Sequence, residues 1–311
     1  MAVPFFSARA VEAAVPPERA YEAVRDAFLA HARGEWTMQP KLYVTNYPAG
    51  DFRAMPALGG GHALLKWVTS FPGNPARGLP TVSGLVVLSD AETGVVEAVL
   101  EAGSLTALRT GAAAALAAET LGTPGGSVAV VGAGVNGRAA ARTFVALGRE
   151  VAVWDLDEGR ARTTASELGV QVAVSLAEAL AADVVVTVTP GKEILLRDGS
   201  LQPGQHVSLM GADGPGKAEI AVAEIRRAHV FCDEWEQASH GGELAAAVEA
   251  GAIARSDVTE LGAVLTGDAV GRRAADEITI FDSTGLAIQD LAIAIAAYER
   301  AGERELPLLE L

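Results

Sequence analysis

The feature that most narrows the folds open to this chain is Gly132-Ala133-Gly134-Val135-Asn136-Gly137, a G-x-G-x-x-G run between an apolar strand pattern, SVAVV, and a helical pattern beginning at Arg138. In that setting each glycine has a physical task. Gly132 permits a tight turn and Gly134 lets backbone approach a pyrophosphate. Gly137 lets the helix pack on the strand while its N-terminal amides and dipole face the phosphates. Ala133, Val135 and Asn136 complete the expected cofactor loop. A glycine-rich turn of any α/β protein would look the same in isolation. The next strand pattern, EVAVW, adds weight because it ends at Asp155, where an acid bonds the ribose hydroxyls of a dinucleotide.

A carboxylate at Asp155 repels a 2′-phosphate, so NAD is favoured over NADP. Asp157, Arg160 and Arg162 suggest a solvated helix start, with the alternative that an arginine swings onto a phosphate. Thr187 and Thr189 follow DVVV, and Met210 follows HVSL. All three are expected at carboxyl ends of parallel strands, where doubly wound sheets hold ligands, although the threonines could equally cap turns.

Around this motif the segments SVAVV, RAAARTFVALG, EVAVW, SELG, QVAV, LAEAL, DVVVTVT and HVSLM alternate between strand and helix character, the pattern of parallel βαβ units. Upstream the character changes. Pro16-Pro17-Glu18 opens an amphipathic helix that stops near Gly34, and LYVTNY, ALLKWVTSF, TVSGLVVLSD and VVEAVLE form β-like runs divided by PALGGGH and PGNPARGLP. Ala-rich Ser104–Leu121 is expected to be a helix bridging two domains, and Gly285–Ala301 a helix that packs back on the first.

A net charge of −15 argues against nucleic-acid binding, which needs clustered Lys and Arg. No run reaches about 18 apolar residues and the N-terminus lacks a secretory pattern, so a cytoplasmic protein without a membrane partner is expected. Cys232 stands alone and the five histidines show no ligand spacing, so no metal is expected.

LLKWVTSFPGNPARGLPTVSGLVVLSD, LTALRTGAAAALAA, VVGAGVNG, GADGPGKAE and DEITIFDSTGLAIQDLA together resemble the ornithine cyclodeaminase/mu-crystallin family. The resemblance implies an α/β protein with a Rossmann-type doubly wound parallel sheet over 116–287. It also implies a discontinuous α+β lobe, 1–115 with 288–311, that binds substrate and joins two copies into a homodimer. Basic residues hold the substrate carboxylate in that family, and the matching positions are Lys66 and Arg109, with Lys41 where an arginine is usual. Thr81 matches a substrate-side threonine, and Asp213 matches an acid that exchanges a proton at the substrate nitrogen. Lys66 would share the catalytic work.

Each of these residues also has a plainer reading: a snorkelling lysine at Lys66, a helix salt bridge at Arg109, a strand residue at Thr81, an Asx turn at Asp213. Lys217 and Glu219 are expected to form local structure. Arg53 stands where ornithine-using members carry an acid, which disfavours a diamine substrate unless Arg53 points to solvent. The implied activity is an NAD(H)-dependent amino acid dehydrogenase or imine reductase. The alternatives are an ornithine cyclodeaminase, a lyase, and a non-enzymatic crystallin-like binder.

Overall fold

The computed structural model describes residues 2–191, 193–212, 214 and 216–311. Two compact units are distinguishable, Met1–Arg109 with Leu286–Leu311, and Thr110–Gly285. The first division falls inside the helix Ala102–Leu121.

In the first unit, strands Gly50–Gly59, His62–Ser70, Val82–Asp90 and Val96–Glu101 form an antiparallel meander. Ala2–Phe6 adds parallel to Val96–Glu101 and pairs antiparallel with Leu308–Glu310, so the sheet is mixed. The strand Gly50–Gly59 was not expected, because PALGGGH looked like a separator. Pro56 is accommodated where the strand's outer partner changes from Leu42–Asn46, paired with 50–54, to Thr37–Met38, paired with 57–58. A missing N–H therefore interrupts no ladder bond there. Gly60 and Gly61, both with positive φ, then turn the chain into the next strand.

Alternation along these strands separates two faces. Asp51, Arg53 and Met55 share the inner face with Lys66 and Val68 of the neighbouring strand. The helix Ala287–Tyr298 lies on strands Gly50–Gly59, His62–Ser70 and Val82–Asp90, and against the amphipathic helix Pro17–Ala32. It buries Ile288, Leu291 and Ile293 completely. Each such side chain contributes about 1.5–3 kcal/mol of hydrophobic stabilisation. The outer face leaves Leu42, Val44, Leu58, Leu65, Trp67 and Leu85 exposed.

The second unit is an eight-stranded, wholly parallel sheet in the order Gln171–Val172, Val151–Trp154, Val128–Val131, Val184–Thr187, His206–Leu209, Thr279–Asp282, His229–Cys232, Val258–Glu260. The last three in that order add to the expected alternation. Strand order reverses between Val128–Val131 and Val184–Thr187, which makes their carboxyl ends the topological switch point. Small residues set the helix spacing: a Cβ on Gly111 would stand 2.7 Å from the carbonyl oxygen of Ala139, in the helix Val135–Ala146.

Candidate active site

The glycine loop sits at the carboxyl end of Val128–Val131, at the switch point. Gly132 has φ of 103°, a conformation L side chains avoid, and its N–H donates to the carbonyl of Trp154 at 2.8 Å. A Cβ on Gly137 would lie 1.7 Å from the carbonyl oxygen of Gly132, whereas one on Gly134 would meet nothing within 4 Å. The first glycine turns the chain, the last packs the helix, and the middle one leaves open space. The helix Val135–Ala146 starts at Gly134 with no side-chain cap on its first-turn amides. An uncapped helix start facing open space is what a phosphate needs.

Asp155 is fastened to this loop. Its Oδ2 accepts from the Ala133 N–H at 2.7 Å and its Oδ1 from the Asp157 N–H at 2.8 Å. Asp157 caps the helix Glu158–Leu168, Arg160 is drawn to Asp157, and Arg162 pairs with Glu158. These are the contacts of a solvated helix start. Arg160 comes within 3.9 Å of Asp155. The open Gly134 position, the bare helix start and the anchored acid together fit a dinucleotide.

Thr187 and Thr189 lie at the expected strand end, but both hydroxyls donate to Glu219, Thr187 at 2.6 Å. The Thr189 N–H donates to the same carboxylate at 2.9 Å. Glu219 is fully buried and its pKa is raised by desolvation, against the hydrogen bonds that favour the anion. The backbone N–H of Glu219 donates to Glu243, whose carboxyl is pushed up to about 7 by burial and by Glu219. The threonines therefore tie this strand end to the segment that ends at Glu219, and Met210, buried, donates its N–H to the Thr187 carbonyl. Asp213 lies outside the described residues.

In the first unit, the structure brings together two of the predicted carboxylate-binding cations and adds an acid that sequence reasoning missed. Lys66 Nζ donates to Asp290 Oδ1 at 2.9 Å, and Arg109 Nε stands 3.5 Å from the same oxygen. Lys66 is not a snorkelling lysine, being 2% exposed. Burial lowers its pKa to about 8; Asp290 opposes the fall, while Arg109 and Arg53 add to it. A single Asp in the apolar run LAIQDLAIAIAA was the available signal, since a buried charge needs a partner.

Arg53 does not point to solvent, as one reading allowed. It is buried, donates through Nε to Asp51 Oδ1 at 2.6 Å and through Nη2 to Oδ2 at 3.3 Å, and lies 5.3 Å above the Tyr43 ring centre. Lys41 is half-buried just before the strand Leu42–Asn46, and Thr81 is exposed, its carbonyl accepting from the Phe71 N–H. Among the described residues no group of three His, Cys, Asp or Glu side chains could hold a metal ion, and no helix is long and apolar enough to cross a membrane.

The model of the ornithine cyclodeaminase/mu-crystallin family matches residues 4–305. An alanine dehydrogenase of Archaeoglobus fulgidus is 43% identical over 300 residues, 94% of this chain and 92% of that protein. An iminosuccinate reductase of Paracoccus denitrificans is 36% identical over 299 residues, 92% of each chain. A solved archaeal alanine dehydrogenase dimer with bound NAD is similar over 100% of both chains, with a TM-score of 0.94 and 38% identity.

Proposed function

The chain belongs to the ornithine cyclodeaminase/mu-crystallin family, and we propose that it is an NAD(H)-dependent oxidoreductase acting at the nitrogen-bearing carbon of a small amino or imino acid. The observation that carries this reading is the pair of a buried Lys66 and a largely buried Arg109, both close to Asp290, in a chain that also holds a dinucleotide loop with Asp155 anchored to it. A carboxylate removed from water needs fixed cations, each charge-assisted hydrogen bond contributing about 1.5–3 kcal/mol. Lys66 and Arg109 hold the substrate carboxylate, with Lys41 and Thr81 completing the pocket. Asp213 exchanges the proton at nitrogen, an assignment that rests on its place in GADGPGK. Gly132–Gly137 receive the pyrophosphate and Asp155 the adenosine ribose. The nicotinamide, when bound, supplies or accepts the hydride.

In the reductive direction a 2-oxo acid, ammonium, NADH and a proton give the amino acid, NAD+ and water. This carbon–nitrogen redox step suits the activities named for the alanine dehydrogenase and iminosuccinate reductase relatives. The lyase reading is disfavoured by Arg53, whose positive charge acts on Lys66 and stands where ornithine-using relatives carry an acid; Asp51, paired with it, offsets most of that charge, so what tells against a diamine is the missing acid more than direct repulsion.

NADH consumption is expected with a small 2-oxo acid plus ammonia, or with a cyclic ketimine. NADPH should serve at least about tenfold less well because Asp155 opposes its phosphate. L-Ornithine with catalytic NAD should give little proline. Rapid proline formation without net NADH change, and silence across the oxo acids and imines, would replace this reading with the lyase.

The chain is proposed to work as a homodimer joined through the outer face of the first unit's sheet. An exposed apolar face containing Leu58, Leu65, Trp67 and Leu85 is costly in water unless covered. Light scattering should give twice the monomer mass of 31.9 kDa, and Trp67→Glu should shift it toward monomer. A monomeric parent protein would refute the assembly.

A further inference from the structure

Asp290 is a costly residue to keep in the helix Ala287–Tyr298. It is completely buried in a mostly apolar helix, and its Oδ2 has no hydrogen-bond partner. Replacing a buried ion pair by apolar groups is often neutral or stabilising, so an acid here is weakly explained by stability alone. Its geometry suggests another reason. One carboxylate oxygen accepts a hydrogen bond from Lys66 Nζ at 2.9 Å and lies 3.5 Å from Arg109 Nε, an ion pair without a hydrogen bond, so it links the strand His62–Ser70 to the helices Ala287–Tyr298 and Ala102–Leu121. The charged groups acting on Lys66 are Asp290 from the covering helix, Arg109 from Ala102–Leu121 and Arg53 from the adjacent strand, with Asp51 paired to Arg53. Without Asp290, three cations would face one another with only Asp51 to offset them.

We infer that Asp290 is a positioning residue for the proposed reaction: its buried carboxylate holds the Lys66 side chain beside Arg109. This rests on the function proposed above. The effect on the Lys66 charge follows from the competing influences. Desolvation and the two guanidinium groups favour neutral Lys66, and Asp290 alone among the named groups favours the charged form. Removing the Asp290 charge therefore lowers the Lys66 pKa further, and at neutral pH the site loses a cation for the substrate carboxylate. Removing the Arg109 charge raises it.

The chain has only four lysines, Lys41, Lys66, Lys192 and Lys217, so lysine labelled with 13C at Cε gives a spectrum simple enough to titrate. Lys66 is assigned by the signal missing from Lys66→Arg. In the parent protein its midpoint is expected near 8. Asp290→Asn should lower it by about one pH unit or more, and Arg109→Gln should raise it. In turnover, the alkaline limb of kcat/KM for the oxo acid should move down in Asp290→Asn by the same interval, with KM rising more than kcat falls. A purely structural role would depress activity equally at every pH. A parent midpoint above 10, or an unmoved or raised midpoint in Asp290→Asn, would overturn the inference. If that variant does not fold, the parent midpoint and the Arg109→Gln shift decide. No turnover on any oxo acid or imine, with the midpoint shift intact, would instead overturn the functional reading and leave the charge coupling standing.

Discussion

Arg109→Met is expected to cut kcat/KM by roughly a hundredfold to several-thousandfold while NADH binding stays within about twofold of the parent. The lower figure follows from losing a charge-assisted contact to the substrate carboxylate, worth about 3 kcal/mol when the partner is buried. The upper figure adds the disturbance of Asp290, which would keep Lys66 as its one named cationic partner. Tenfold in rate corresponds to about 1.4 kcal/mol. Cofactor binding should survive because the dinucleotide loop and Asp155 belong to Thr110–Gly285, while Asp290 and Lys66 belong to the other unit. Fluorescence titration with NADH beside steady-state kinetics separates the two functions. Activity within a few-fold of the parent would make Arg109 a structural ion-pair partner.

What could be read from the sequence divides along the range of the interactions. The glycine loop was legible because its requirements are local: a turn, a close approach and a helix start within six residues, followed by an acid on the next strand. Lys66 and Arg109 were legible only through resemblance, since nothing local distinguishes them from surface cations. Asp290 was missed because its partner Lys66 is 224 residues away in the chain. Asp51 and Arg53 lie two apart on one face of a strand, a spacing that places them side by side. Pro56 and the glycines after it hid that strand, and Arg53 was left with a solvent reading it does not deserve. Thr187 and Thr189 were placed at the right strand end, while the direction of their hydroxyls depends on Glu219, some thirty residues on. Asp213 stays a sequence-based assignment.

Gly137→Ala is expected to reduce NAD affinity at least about a hundredfold and to lower the melting temperature, whereas Gly134→Ala should weaken NAD binding with little change in melting temperature. The contrast follows from what each added methyl group meets. On Gly137 it would stand 1.7 Å from a backbone carbonyl oxygen, and backbone cannot swing aside as a side chain does. The helix must move off the strand, at a cost of about 1–3 kcal/mol or more, and its first-turn amides move with it. On Gly134 the methyl group meets no protein atom within 4 Å, and φ of −72° is open to alanine, so the protein alone has no reason to lose stability. The methyl would instead occupy the space assigned to the pyrophosphate. Calorimetric titration with NAD and thermal melts of both variants test the pair of claims. Gly134→Ala binding NAD as tightly as the parent would mean that the phosphates do not approach the chain at that glycine, and the placement of the cofactor on this loop would fall.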